Sequence, residues 1–144
     1  MNEYMKLAIT EARKGIHNGH GGPFGAVVGK GHNQVLRNND PTCHAEMMAI
    51  RKACKTLDTY DLSGCEIYAT GEPCPMCLSA ILWANIDKVY YGCNIIDTEQ
   101  IGFRDKKFYE MQNSGEKEKM MQELDRDACL KLYAEYMRLS HKLY

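Results

Sequence analysis

The chain has 144 residues, and the features that it lacks narrow its class. No segment approaches the roughly 18 consecutive apolar residues of a membrane-spanning helix, and Glu3 and Lys6 interrupt any signal-peptide core. The formal net charge is only −1, whereas proteins that bind nucleic acid usually carry a basic surplus or stripe. We therefore expect a cytoplasmic protein with no membrane partner, and nucleic acid is disfavoured as a partner.

The cysteines do not form the even, regularly spaced set of a secreted disulfide-stabilised domain. There are seven, and Cys74 and Cys77 are the only close pair. No repeat, low-complexity tract or flexible linker interrupts the sequence. A chain of this length buries about two thirds of its unfolded surface on folding, so it needs no disulfide. We expect reduced thiols and one domain that spans residues 1–144.

Apolar periodicity and turn residues predict alternating helices and strands. The predicted helices run from Asn2 to about Asn18, from about Cys43 to Leu57 and onward from Cys74, and the predicted strands are 24–28, 31–35, 66–70 and 88–92. In the second helix the predicted buried stripe is Met47, Ile50, Cys54 and Leu57. Strands joined through helices pair in parallel and the early hairpin is antiparallel, so the predicted sheet is mixed. Later segments predict helices at 116–124 and 127–143.

Two short segments carry the chemistry, His44-Ala45-Glu46 and Pro73-Cys74-Pro75-Met76-Cys77. One histidine and two cysteines supply three zinc ligands, and both segments are predicted at helix N-termini, where the helix dipole favours thiolate over thiol. A structural zinc site uses four protein ligands, whereas a catalytic site uses three and leaves a position for water. H-x-E followed by P-C-x-x-C is a recognised signature of zinc base deaminases. The pattern therefore predicts a catalytic zinc ion.

Glu46 is the predicted proton carrier of this site. Two thiolates and a neutral imidazole offset the charge of Zn²⁺, so the positive charge that acts on a zinc-bound water would be reduced. A neighbouring carboxylate that accepts and returns the proton is then useful. We expect that removing the Glu46 carboxylate abolishes turnover without removing zinc.

Other interpretations of the cysteines and histidines remain open. Cys43 or Cys93 could complete a structural zinc site, although ligation by both Cys43 and the adjacent His44 is awkward, and a lone C-x-x-C could also be redox-active or accidental. The remaining cysteines are predicted to be small, at least partly buried hydrophobes: Cys43, Cys54, Cys65, Cys93 and Cys129. The remaining histidines are predicted to be surface or hydrogen-bonding residues: His17, His20, His32 and His141.

With residues 40–46 (DPTCHAE) and 72–77 (EPCPMC) in place, the chain resembles the cytidine-deaminase-like superfamily over nearly its whole length. Within that superfamily it is most similar to the small bacterial guanine deaminases. The resemblance implies a three-layer α/β/α fold around a mixed sheet of five strands. It also implies one zinc ion per subunit, bound by His44, Cys74 and Cys77, with water or hydroxide as the fourth ligand.

The resemblance also implies roles for individual residues. Phe24, in the segment 21–26 (GGPFGA), matches the phenylalanine that stacks on the purine, and Asn33 matches the asparagine that hydrogen-bonds the base. Ala45, between His44 and Glu46, is expected to contact substrate. Glu46 matches the proton shuttle.

Two later matches favour guanine over related substrates. Asp105, in the segment 102–105 (GFRD), matches an aspartate that assists proton transfer. The terminal Tyr144 matches a tyrosine that closes the active site of the partner subunit. The resemblance therefore implies a homodimer in which a segment of about residues 115–144 is exchanged by domain swapping.

The chain departs from the family pattern in its first hairpin. Relatives have a longer hairpin, whereas only Gly29 and Lys30 separate Val28 from Gly31 here. Either the hairpin is truncated or residues are missing at this point, and we favour missing residues because a shortened strand would expose backbone. Cys43 also stands where relatives commonly have alanine, which places an oxidisable thiol beside the expected metal.

The predicted function is hydrolytic deamination of guanine to xanthine and ammonia, in purine catabolism or salvage. The same zinc chemistry would serve another amino base, such as cytosine, a nucleoside or a triazine. A tRNA adenosine deaminase shares the zinc motifs, but the chain lacks a basic C-terminal stretch. A zinc-stabilised binding module without catalysis is the alternative from a different class, and it leaves Glu46 and Asp105 unexplained.

Overall fold

A computed structural model describes all 144 residues, in two compact units that comprise residues 1–109 and 110–144. The strands are β1 (Gly25–Val27), β2 (Lys30–His32), β3 (Glu66–Gly71) and β4 (Lys88–Cys93). The helices of the first unit are α1 (Glu3–His17), α2 (Val35–Asn38), α3 (Ala45–Leu57), α4 (Pro75–Trp83) and α5 (Ile95–Gln100). Helix α6 (Asp105–Asn113) spans the boundary, and α7 (Glu116–Met120) and α8 (Arg126–Arg138) belong to the second unit.

The sheet has four strands in the order β2-β1-β3-β4. Strand β1 pairs antiparallel with β2 and with β3, whereas β3 and β4 are parallel, as expected for strands joined through α4. The predicted mixed sheet is therefore confirmed. The prediction of a fifth strand is wrong, because every element that follows β4 is helical and β4 is left as an edge strand.

Helices α1 and α3 cover opposite faces of the sheet. Gly25 and His32 are directly opposed in the β1–β2 pair and therefore point to the same face, which is the face that α1 covers: Gly25 lies directly against the backbone of Ala8. Gly31 points to the other face, where a Cβ would come within 2.6 Å of the backbone nitrogen of Ala49 in α3. The sheet thus lies between two helical layers, as predicted.

The first hairpin closes with the residues present. Val27 pairs with Lys30, so Val28 and Gly29 form the connection. The predicted second strand is wrong in its extent, because β2 ends at His32 and Val35 already begins α2. The alternative of missing residues remains a prediction, which an intact mass well above 16.4 kDa would support.

Small residues, rather than large ones, form the buried faces of the two covering helices. The buried residues of α1 are Ala8, Ala12 and Gly15, and those of α3 are Ala45, Glu46, Ala49 and Ala53. The predicted stripe of α3 is therefore displaced: Met47, Ile50 and Cys54 are only partly buried, and Leu57 is exposed. Glycines in the hairpin explain this, because they let the helix backbones approach the strands directly.

The C-terminal unit consists of short helices that bury none of their residues. The predicted helices at 116–124 and 127–143 both form, but each ends earlier than expected. The apolar side chains of α8 are exposed, including Leu132, Tyr133 and Met137. No helix in either unit combines the length and apolar character needed to cross a membrane.

Candidate zinc centre and active site

The three predicted ligands come together between the starts of two helices. His44 is the N-cap residue of α3, and Cys74 is the N-cap residue of α4, where Pro75 occupies the first turn without losing a hydrogen bond. One ligand atom each from His44, Cys74 and Cys77 lies within 4.8 Å of the others. The sheet places these two helix starts side by side, since β3 leads directly into the Cys74 turn.

The donor set fits a tetrahedral zinc ion. Zinc bonds of about 2.3 Å to sulfur and 2.0–2.1 Å to nitrogen, at a tetrahedral angle, place the two donors about 3.5–3.6 Å apart. Cys74 Sγ lies 3.5 Å from His44 Nδ1. Three soft or borderline protein ligands without a fourth are the arrangement of a catalytic zinc site.

The protonation of the thiols also favours a metal. A hydrogen bond from Cys77 lowers the pKa of Cys74 to about 4, and His44 contributes to the shift. The same hydrogen bond, together with burial, raises the pKa of Cys77, and the hydrogen bond with Cys74 raises the pKa of His44. Both cysteines would bind zinc as thiolates, so zinc affinity would depend on pH.

Glu46 lies in the first turn of α3, and only 7% of its surface is exposed. Burial raises its pKa to about 7, and the negative charge of Cys74 acts in the same direction. A carboxyl group with a pKa near neutrality can both accept and return a proton, which is the property expected of a general base and acid. Ala45, directly before it, is fully buried at the start of α3.

Asp105 is the first residue of α6 and is half-buried. Burial raises its pKa, and the negative charge of Cys74 raises it further. The charge of His44 acts on this pKa in the opposite direction. Glu46 and Asp105 thus both have raised pKa values, a feature that is common among the carboxylates of functional sites.

Phe24 and Asn33 are neighbours at the entrance of the hairpin. Asn33 is buried, and its backbone N–H donates to the carbonyl oxygen of Phe24 at 3.0 Å. The ring of Phe24 meets Phe103 edge-on, with ring centroids 4.9 Å apart. The backbones of Phe24 and Asn33 are thus joined directly, and Phe103 supports the Phe24 ring.

Tyr109 is a site residue that the sequence did not reveal. Its hydroxyl donates to the carbonyl oxygen of Pro73 at 2.6 Å, directly before the ligand Cys74. Burial raises the pKa of Tyr109 to about 12, so the hydroxyl keeps its proton. The available signal was its position four residues after Asp105, which puts both side chains on one face of α6.

The alternative fourth ligands do not join the cluster. Cys43 is buried, but its sulfur faces Asn38 and Arg51, and Cys93 is exposed at the end of β4. The prediction that all five other cysteines are at least partly buried is wrong for Cys93 and Cys129, because β4 is an edge strand and α8 buries no residue. Tyr144 lies in the second unit and is 80% exposed.

Comparison with known proteins agrees with this geometry. The family model of the cytidine and deoxycytidylate deaminase zinc-binding region matches residues 1–93. Guanine deaminase of Bacillus subtilis (strain 168) is 48% identical over 113 residues, which cover 74% of this chain and 72% of that protein. A tRNA-specific adenosine deaminase of Aquifex aeolicus is 35% identical over 133 residues, which cover 78% of this chain and 87% of that protein.

Solved structures show the same similarity. The X-ray structure of guanine deaminase from Bacillus subtilis has a TM-score of 0.90 and 37% identity, and the match covers 100% of this chain and 99% of that chain. Guanine deaminase from Nitrosomonas europaea has a TM-score of 0.66 and 32% identity, covering 69% of this chain and 62% of that chain. The four-stranded mixed sheet, the His–Cys–Cys cluster and these matches together show that the chain belongs to the zinc-dependent cytidine and deoxycytidylate deaminase family.

Proposed function

We propose that this protein is a guanine deaminase, which converts guanine and water to xanthine and ammonia. The observation that carries the proposal is the buried carboxyl group of Glu46 beside a three-ligand zinc site. The choice of guanine is supported by the 48% identity to a guanine deaminase, against 35% for the tRNA-specific adenosine deaminase.

The proton transfers follow from the two carboxylates. When bound, zinc would acidify a water molecule and hold it near Glu46. Glu46 accepts the proton that the water loses as its oxygen adds to C2 of guanine, and it passes this proton to a ring nitrogen. Glu46 then takes the proton of the new C2–OH group and transfers it to the amino nitrogen, so that the C2–N bond breaks, ammonia leaves and the C2 carbonyl of xanthine forms. Asp105, whose pKa is also raised, relays a proton on the amino side.

Substrate binding is assigned to the hairpin entrance. Phe24 stacks on the purine ring, and Asn33 donates a hydrogen bond to it. Ala45, fully buried at the start of α3 and adjacent to the ligand His44, is assigned to the wall of this binding site. Stacking alone accepts any base, so selectivity is expected to depend on Asn33 and Asp105.

Guanine turnover by the zinc-loaded protein is the decisive experiment. We expect absorbance spectra to follow conversion to xanthine, with stoichiometric ammonia, and little or no turnover of adenine, cytosine, a nucleoside or a triazine. If one of those compounds is converted faster than guanine, that compound is the substrate and guanine is not. Tight zinc binding without any deamination would instead identify a binding module.

We propose a homodimer as the active assembly, with the segment of about residues 115–144 exchanged between subunits of a single-domain protein. Two exposed apolar surfaces support it. Helix α8 exposes Leu132, Tyr133 and Met137, and α4 exposes Leu82 and Trp83. Such surfaces usually mark an interface, and Tyr144 at the end of the segment would reach the partner's site.

We also propose the cytoplasm as the location of the protein. All seven cysteines are free thiols, and two of them must remain reduced to bind zinc. A reducing compartment maintains that state.

A further inference from the structure

Three side chains outside the zinc centre form a hydrogen-bonded chain. Glu11 Oε2 lies 3.1 Å from His32 Nδ1, and His32 Nε2 lies 2.9 Å from His20 Nδ1. The side chains of His32 and Glu11 are 6% and 17% exposed. Burial of polar side chains is unfavourable unless they are paired. The two hydrogen bonds therefore favour one arrangement of the three side chains.

The carboxylate determines the direction of the hydrogen bonds. A carboxylate only accepts, so the hydrogen on His32 lies on Nδ1, which faces Glu11. Nε2 of His32 is then the atom that is left to share a hydrogen bond with Nδ1 of His20. Desolvation and the positive charge of Arg37 lower the pKa of His20, which favours its neutral form.

Both histidines are joined to the predicted base-binding residue Asn33. His32 immediately precedes Asn33 in the sequence. His20 immediately precedes Gly21, and Gly21 lies so close to Asn33 Oδ1 that a Cβ at this glycine would collide with it. Displacement of either imidazole would therefore move the backbone that holds the Asn33 amide.

The amide of Asn33 has a defined orientation. Its Oδ1 accepts from the backbone N–H of Val35 at 3.1 Å, at the start of α2. The carbonyl oxygen of His20 accepts from Leu36 and Arg37 in the same helix, both at 3.0 Å. Because Oδ1 is directed towards the Val35 N–H, the NH₂ group on the other side of the amide is the donor that can meet a ligand.

We propose that Glu11, His32 and His20 are positioning residues that hold the Asn33 amide for base recognition. The inference rests on the role given to Asn33 in the proposed function. The three residues act through Asn33 and do not touch the reacting atoms. Their loss should therefore weaken substrate binding and leave the chemical step nearly unchanged.

Kinetics of holoenzyme variants test this role. Glu11→Leu removes the acceptor at the end of the chain, and we expect the KM for guanine to rise roughly tenfold while kcat changes less than about twofold. Glu11→Gln keeps an acceptor oxygen and should restore a KM near that of the wild type. Glu3→Leu removes the same charge from an exposed position of α1 and is the matched control. An unchanged KM in Glu11→Leu would overturn the inference.

A double-mutant cycle separates positioning from general destabilisation. In an Asn33→Ala background, Glu11→Leu should raise KM less than about twofold further, because the amide that it positions is gone. A full additional tenfold rise would show that Glu11 acts independently of Asn33 and would refute the proposal. If Glu11→Leu does not fold, His20→Ala removes the opposite end of the hydrogen-bonded triad, and the same comparison applies.

An NMR measurement needs no substrate and is independent of the proposed function. The side-chain amide signal of Asn33 in the zinc-loaded protein should shift in Glu11→Leu and stay in place in Glu3→Leu. A protein that fails to convert guanine but shows this shift contradicts the proposed function alone. If the chemical shift of the Asn33 amide is unchanged in Glu11→Leu, the positioning role is wrong, whichever base is the substrate.

Discussion

At the scale of single residues, the chemistry depends on where charge is buried. Glu46 is enclosed at the start of α3, where burial raises its pKa to about 7, whereas most carboxylates of the chain are exposed. The hydrogen bond that lowers the pKa of Cys74 to about 4 raises that of Cys77. The site thus combines a thiolate donor with a carboxyl group whose pKa lies near neutrality, as the proposed proton transfer requires.

Replacement of Glu46 should separate catalysis from zinc binding. We expect Glu46→Gln to lower kcat at least about a hundredfold, because the amide cannot carry the proton, with one zinc ion per subunit retained in elemental analysis. Glu66→Gln, on the exposed start of β3, is the matched control and should keep full activity. Substantial turnover by Glu46→Gln would remove this residue from the mechanism.

The pH dependence of kcat/KM should report the buried carboxyl group. Glu46 is active as the carboxylate, so kcat/KM should fall as the pH decreases through its pKa. Burial raises this pKa from 4.5 to about 7, and the positive charge of zinc opposes the shift. We therefore expect the acidic limb of the profile between these two values. A profile that stays flat down to pH 4 would contradict the assignment.

At the scale of elements, the first hairpin is compressed between two helices. Gly25 lies against α1, and Gly29 and Gly31 lie against α3, so the backbones meet without intervening side chains. The partners on α3 are Ala49 and Ala53, which add little bulk of their own. This close packing holds β2, which directly precedes Asn33, against the helix that is capped by the predicted zinc ligand His44.

A methyl group at Gly31 should disturb this packing. In Gly31→Ala the Cβ would lie 2.6 Å from the backbone nitrogen of Ala49, and backbone atoms cannot move aside independently. We expect the free energy of unfolding to fall by about 2 kcal/mol, measured by denaturant titration. Lys30→Ala, at the preceding exposed position of β2, should change it by less than about 0.5 kcal/mol. Equal stability of the two variants would show that α3 can shift to accommodate the added methyl group.

At the scale of the whole molecule, the C-terminal unit has too little core to be stable by itself. Residues 110–144 form short helices without a buried residue, and small chains of this length rarely fold alone. An exchanged segment would gain its burial from another subunit. The lack of buried residues in the C-terminal unit therefore supports the proposed dimer.

Deletion of Tyr144 tests the exchanged tail. We expect turnover of guanine to fall at least about tenfold, because the partner's site would lose the residue that closes it, while zinc content remains unchanged. Lys142→Ala, two residues earlier in the same exposed tail, is the control. Full activity of the truncated enzyme would refute the role of Tyr144.

Mixing two impaired variants tests whether the tail of one subunit closes the active site of its partner. Subunits with Glu46→Gln and an intact tail, refolded together with subunits that lack Tyr144, should regain a fraction of the wild-type activity. In an exchanged dimer, some sites then combine an intact Glu46 with an intact partner tail. Absence of recovery, in dimers confirmed by light scattering, would mean that each tail serves its own subunit.

The sequence by itself determined the local features of this protein. The ligands His44, Cys74 and Cys77 could be assigned from their spacing and from the residues beside them, which are local features of the sequence. As predicted, α3 and α4 begin beside His44 and Cys74, which are their N-cap residues. The mixed sheet followed from the order of helices and strands in the same way.

Only the tertiary structure decided which side chains are buried and which distant groups meet. The predicted stripe of α3 followed large apolar residues, yet alanines form the buried face, because glycines on another element bring the backbone close. Glu11 and His32 are 21 positions apart, and Tyr109 and Pro73 are 36 apart. Periodicity reports each element separately, whereas such contacts arise only when packing brings different elements together.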